Sequence, residues 1–144
     1  MIARRYMLRL ARDCRGAAII EFAILVPTLF ALMIGVIQVG VSMWNYNAVR
    51  AIMADTMRYT VVEYQKQNRV TTTQIQSRAV AIAVNSPYRF NINNFNVTAT
   101  TPTSDITGMI KYSVAMTYSP PNFLGFAGIQ APSLSITRPI YVPS

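Results

Sequence analysis

The 25 residues from Ala17 to Val41, AAIIEFAILVPTLFALMIGVIQVGV, contain only Glu21, Thr28 and Gln38 as strongly polar members. A helix crosses the hydrocarbon core of a bilayer with about 20 consecutive apolar residues, so this run is long enough to span. A cleavable secretory signal has a shorter apolar region, roughly 7 to 15 residues, followed by a small-x-small site, and neither fits here. The run therefore reads as a retained anchor. It also limits what the rest can be, since only about eighty residues remain to build a soluble core, enough for one modest unit.

The flanking charges orient the anchor. Arg4, Arg5, Arg9, Arg12 and Arg15 precede it against a single acid, Asp13, and no Lys or Arg follows the run until Arg50. The positive-inside rule puts such an N-terminus in the cytoplasm and the C-terminal part across the membrane, in the periplasm if the source is bacterial. The chain's net charge is +8, and half of that excess sits in residues 1–16. The remainder is dilute and shows no RNP-like aromatic motif, zinc-finger spacing or basic helix, which argues against a nucleic-acid partner. Cys14 is the sole cysteine, so no intrachain disulfide can form. Pro27 and Gly35 interrupt the apolar helix, and a bend is expected near Pro27. Gly35 and Gly40 are five apart and do not make the Gly-x-x-x-Gly packing spacing.

Glu21 is the oddity. A carboxylate at the bilayer centre costs on the order of 2.5 to 3.5 kcal/mol, and less near an interface. Two readings stand side by side. The side chain can snorkel to the cytoplasmic head groups or take up a proton. Alternatively it has a cationic partner: a cut between Gly16 and Ala17 creates an α-amine four residues earlier, one helical turn away on the same face. In low dielectric that amine and the carboxylate attract strongly, within one chain or between neighbouring subunits.

The basic leader, Gly16, Ala17 and then Glu21-Phe22, followed by an apolar helix, resemble a type IV prepilin. More narrowly, RGAAIIEFAILVPTLFALMIGVIQVG with the later YNAVRAIMADTMRYTVV is similar to the TadE-like proteins of tight-adherence (Flp) pilus systems, over about residues 12 to 64. The resemblance implies a minor pilin or pseudopilin processed in the inner membrane by a prepilin peptidase. Gly16 would then carry the scissile carbonyl, Ala17 the new amino terminus and Glu21 the charge, with Phe22 beside it. Glycine lets the backbone enter a peptidase site in extended form. Partners implied are the peptidase, other pilins and platform proteins, and membrane lipid. Incorporation into an extracellular pilus used in surface adhesion follows from the same likeness. The alternative is an unprocessed, membrane-anchored accessory protein of the assembly machinery, as in the related, larger TadG-like proteins.

Beyond the anchor the helical pattern continues. Tyr46, Val49, Met53, Met57, Thr60 and Tyr64 follow spacings of three and four, and no Pro or Gly falls between Val41 and Val70. Trp44 and Tyr46 suit an interfacial aromatic belt. A second helix is expected within residues 71–87, with Thr71 and Gln74 at capping-box spacing, Ile75, Ala79 and Ile82 as its stripe, and Asn85-Ser86-Pro87 as its stop. Period-two alternation predicts strands around Tyr88, Phe90 and Ile92, around Phe95, Val97 and Ala99, and from Ile110 to Tyr118. Leu134 and Ile136 open a last strand whose end Pro139 and Pro143 make an edge or a tail. The expected fold is α+β, with a leader at 1–16, a membrane helix at 17–41, a helical stalk at 42–66 and an αβ domain at 67–144 carrying an antiparallel sheet.

The loop SPPNFLGFAGIQAP, residues 119–132, holds Phe123, Leu124 and Phe126. Such side chains either tuck beneath their own domain or form a contact surface for another subunit. With no histidine, and only Asp55, Glu63 and Asp105 as acids after Glu21, the sequence offers no catalytic triad, carboxylate dyad, metal cluster or phosphate-binding glycine loop. No enzyme activity and no cofactor are expected.

Overall fold

A computed structural model describes residues 15–144. Arg4, Arg5, Arg9, Arg12 and Cys14, and the side chain of Arg15, lie outside the described residues. The chain separates between Ile37 and Gln38 into two compact units.

Helix α1 runs from Arg15 to Gln65 and contains Pro27. In its first stretch, up to Ile37, apolar side chains project on every side: Ile19, Phe22, Leu25, Leu29, Phe30, Leu32, Met33 and Val36 are all more than half exposed. A helix apolar all round is a helix meant for a nonaqueous surrounding or for neighbours. Thr28 directs its hydroxyl to the Ile24 carbonyl at 3.5 Å, keeping that polar group on its own backbone.

From Gln38 onward α1 has one buried face, formed by Gln38, Ser42, Asn45, Val49, Ile52, Met53, Thr56 and Thr60. Several of these are polar, yet they cost little to bury because their hydroxyls return to the helix itself. Ser42 donates to the Gln38 carbonyl at 2.8 Å, Thr56 to Ile52 at 2.8 Å and Thr60 to Thr56 at 3.0 Å. The face is rotated slightly from the one expected: Val49, Met53 and Thr60 lie on it, Met57 and Tyr64 are half-buried at its margin, and Tyr46 is exposed. The helix ends in a Schellman turn. Asn68 N–H donates to the Glu63 carbonyl and Gln67 N–H to Tyr64, both at 3.0 Å, with Gln67 in the left-handed region at φ 63°.

Helix α2, Thr72–Val84, begins with the expected capping box, Thr71 and Gln74 each bonding the other's backbone. It buries Ile75, Ala79 and Ala83, with Ile82 half-buried. The strand expected around Tyr88, Phe90 and Ile92 does not form. Phe90 N–H instead bonds the Ala83 carbonyl at 2.8 Å, and the Asn91 side chain accepts from Asn93 N–H at 3.0 Å, initiating a 3-10 turn over Ile92–Asn94. Phe90 is buried there, stacked on Tyr118 with ring centroids 4.1 Å apart and edge-on to Phe95.

Strands β1 (Phe95–Thr100), β2 (Met109–Tyr118) and β3 (Leu134–Pro143) form an antiparallel sheet in that order. Phe95 pairs with Tyr118, and Tyr112 with Ile140. Period two puts Tyr112, Val114, Met116 and Tyr118 on the core face, joined by Phe95, Ala99, Ile136, Ile140 and Val142. Pro139 is tolerated because β3 is an edge strand, and Arg138, exposed on that same edge, disfavours pairing with a further strand. The core therefore closes between the sheet, α2 and the later half of α1. Tyr112 crosses it: its hydroxyl donates to the Val70 carbonyl at 2.9 Å and lies 2.7 Å from the Tyr64 hydroxyl. Burial pushes the Tyr112 phenol up to about 12. At the sheet's far end, Lys111 and the Tyr141 hydroxyl both bond the Asp105 carboxylate and hold it below its usual range.

Candidate functional site

The residues singled out from the sequence fall into two groups, one in each unit. The first is the start of α1. Gly16 and Ala17 are exposed in the first helical turns, and Glu21 follows one turn later, about 6 Å along the axis from Ala17. Among the described residues Glu21 makes no ion pair. Phe22 is 69% exposed. A Cβ added at Gly16 would meet no described atom within 4 Å, so packing does not explain that glycine. Gly35 and Gly40, further along α1, have the same open space at Cβ, so Gly16 is marked by its place in the motif and not by its packing. Helical assignment is continuous through Pro27, which is exposed.

The second group is the loop between β2 and β3. Phe123 is 45% and Phe126 74% exposed, Ile129 is also exposed, and Leu124 is half-buried. The loop thus presents its large apolar side chains outward. Its polar groups bond within the loop: Asn122 Nδ2 donates to the Ile129 carbonyl at 3.1 Å, Asn122 Oδ1 accepts from Leu124 N–H at 3.1 Å, and a 3-10 turn over Gly125–Ala127 is closed by Gly128 at φ 73°. A side chain at that positive φ would be strained, so glycine is favoured there.

Gln38 fastens this loop. Its Nε2 donates to the Pro121 carbonyl at 3.0 Å and its Oε1 accepts from Phe123 N–H at 2.8 Å, so one side-chain amide grips the backbone on both sides of Asn122. Gln38 is 6% exposed. The sequence reading noted Gln38 only as a polar member of the apolar run. The signal was present, because an amide at the end of such a run is costly unless both its donor and its acceptor are used.

Among the described residues no three of His, Cys, Asp and Glu come close enough to hold a metal ion. What the geometry offers is contact: an exposed apolar helix with one acid, and an outward-facing apolar loop.

No curated protein and no solved structure matches the chain at a significant level. The model of one family, the TadE-like proteins, matches residues 16–58, beginning at Gly16 and ending within α1. α1 is long and apolar enough to cross a membrane, which fits a membrane-anchored protein of that kind. Over residues 16–58, the first part of its long helix, the chain is similar to the TadE-like proteins.

Proposed function

We propose that the chain is a minor pilin or pseudopilin, held in a bacterial inner membrane by residues 17–41 with its N-terminus cytoplasmic, cleaved after Gly16 by a prepilin peptidase, and used in assembling a tight-adherence pilus for surface adhesion. The observation that carries this reading is the first stretch of α1. It belongs to the segment that the family model matches, its apolar side chains are exposed on every side, and it places the carboxylate of Glu21 one turn after Ala17. Cleavage supplies the missing cation, since the amine of Ala17 would lie on the face of Glu21. In an assembly, the same helix faces bury against those of neighbouring subunits, and the carboxylate of one chain pairs with the amine of the next.

The test is Glu21→Ala in cells that make the whole pilus system, comparing membranes with sheared pili. The expected result is a variant still inserted, since removing an acid eases insertion, but absent from sheared material. Unchanged recovery in pili would reduce Glu21 to a tolerated interfacial acid. Wild-type protein found only in membranes, never in sheared pili, would favour the unprocessed accessory role.

A further inference from the structure

We infer that the β2–β3 loop is a second membrane contact, with Phe123, Phe126 and Ile129 seated among the lipid head groups and upper acyl chains on the periplasmic side; this rests on the reading that α1 spans the bilayer. Three observations point to lipid as the occupant.

The first is where the loop is fastened. Gln38 grips it, and Gln38 lies in the last turn of the apolar run that ends at Val41. The 21 residues from Ala17 to Ile37 rise about 31 Å, close to the thickness of a hydrocarbon core, so Gln38 falls at the far interface. A loop bonded to Gln38 at 2.8 and 3.0 Å is held at that depth. The second is charge. On α1 no charged residue occurs from Phe22 to Val49, and none occurs from Tyr112 to Thr137, the part of the sheet and loop that Gln38 meets. The domain's charges, including Arg58, Glu63, Lys66, Asp105 and Lys111, belong to other segments. A contact surface for a protein partner has no need to clear charge from two separate segments at one level, whereas a lipid boundary does.

The third is the loop's construction. Asn122 and the 3-10 turn satisfy backbone groups internally while the apolar side chains point outward, the arrangement that survives loss of water around a loop. Val39 and Met43, exposed beside Gln38 along a groove that Pro132 and Leu134 also line, extend the same apolar surface, and Trp44 is exposed one position further on. Trp is the residue enriched where one side of a group is apolar and the other wet.

The experiment uses the full chain in phosphatidylcholine vesicles, with and without acyl chains brominated near the glycerol ester. In a Trp44→Phe background, single probes are made by Phe126→Trp, Phe30→Trp and Ile106→Trp. Bromine should quench most of the emission of the probes at 126 and 30, with both blue-shifted, and leave the probe at 106 unquenched with the emission of indole in water. A probe at 126 that behaves like the one at 106, while the one at 30 is quenched, overturns the loop contact and keeps the span. Blue-shifted but unquenched emission at 126 that shifts back on dilution in lipid overturns it in favour of a second copy. Loss of quenching at 30 as well overturns both the contact and the span on which it rests.

Discussion

The two stretches of α1 are continuous in backbone and opposite in how they bury themselves. Up to Ile37 every face is apolar and exposed; from Gln38 on, one face is buried and that face is notably polar, carrying Gln38, Ser42, Asn45, Thr56 and Thr60. The difference shows that hydrophobicity along a helix does not report where its own domain packs. The second stretch gains its stability from α2 and the sheet, and can use threonines because their hydroxyls bond carbonyls one turn back. The first leaves its apolar side chains exposed, and the proposed function assigns that surface to lipid and to other subunits.

The comparison breaks most readily at Ile52, which is fully buried. Ile52→Ala should destabilise the domain by about 2 to 5 kcal/mol in denaturant titrations of the detergent-solubilised chain, whereas Leu25→Ala should change nothing measurable. Equal effects would mean that the first stretch also packs into the domain. The converse probe is Leu29→Arg, expected to make membrane insertion less favourable by about 2.5 to 3.5 kcal/mol in a microsomal assay, while Ile106→Arg inserts as wild type. Insertion indifferent to Leu29→Arg would remove hydrocarbon as the environment of that face.

A pH titration sharpens the buried side. The Tyr112 phenol titrates near 10 when unfolded and at about 12 when folded, so the folded state holds the proton more tightly. Its contribution is complete below pH 10 and is lost as the pH rises through about 12. Tyr112→Phe should remove that alkaline component, and an unchanged alkaline profile would mean the phenol is not what limits stability there. The smallest effect is at Gln67, the left-handed residue of the Schellman turn. Gln67→Gly should raise thermal stability by about 0.5 to 1 kcal/mol by relieving that strain, and a loss would show that the Gln67 side chain does something else.

The sequence was most informative where local chemistry alone decides structure. Thr71 and Gln74 announced the start of α2, the alternation from Ile110 to Tyr118 announced β2, and Pro139 announced an edge strand. It misled around Tyr88 to Ile92, where alternation was real but Asn91 and the Ala83 carbonyl drew the backbone into a turn. The buried face of α1 was hard to place because Ser42, Thr56 and Thr60 hide their cost in i to i−4 bonds, which hydropathy does not register. For the loop's phenylalanines the sequence left two readings, tucked or exposed, and local pattern did not choose between them. Their orientation depends on Gln38, more than eighty residues away in the chain, and local patterning carries no record of that pairing. The start of α1 was legible as a motif, since Gly16, Glu21 and Phe22 are set by spacing, and the role proposed for it turns on cleavage after Gly16.

That chemistry is open to one direct measurement: the intact mass of the protein extracted from membranes of cells containing the prepilin peptidase, beside cells lacking it. A chain that begins at Ala17 in the first and at Met1 in the second is the predicted result. A chain beginning at Met1 in both would contradict the account, leaving Glu21 without the amine proposed as its partner.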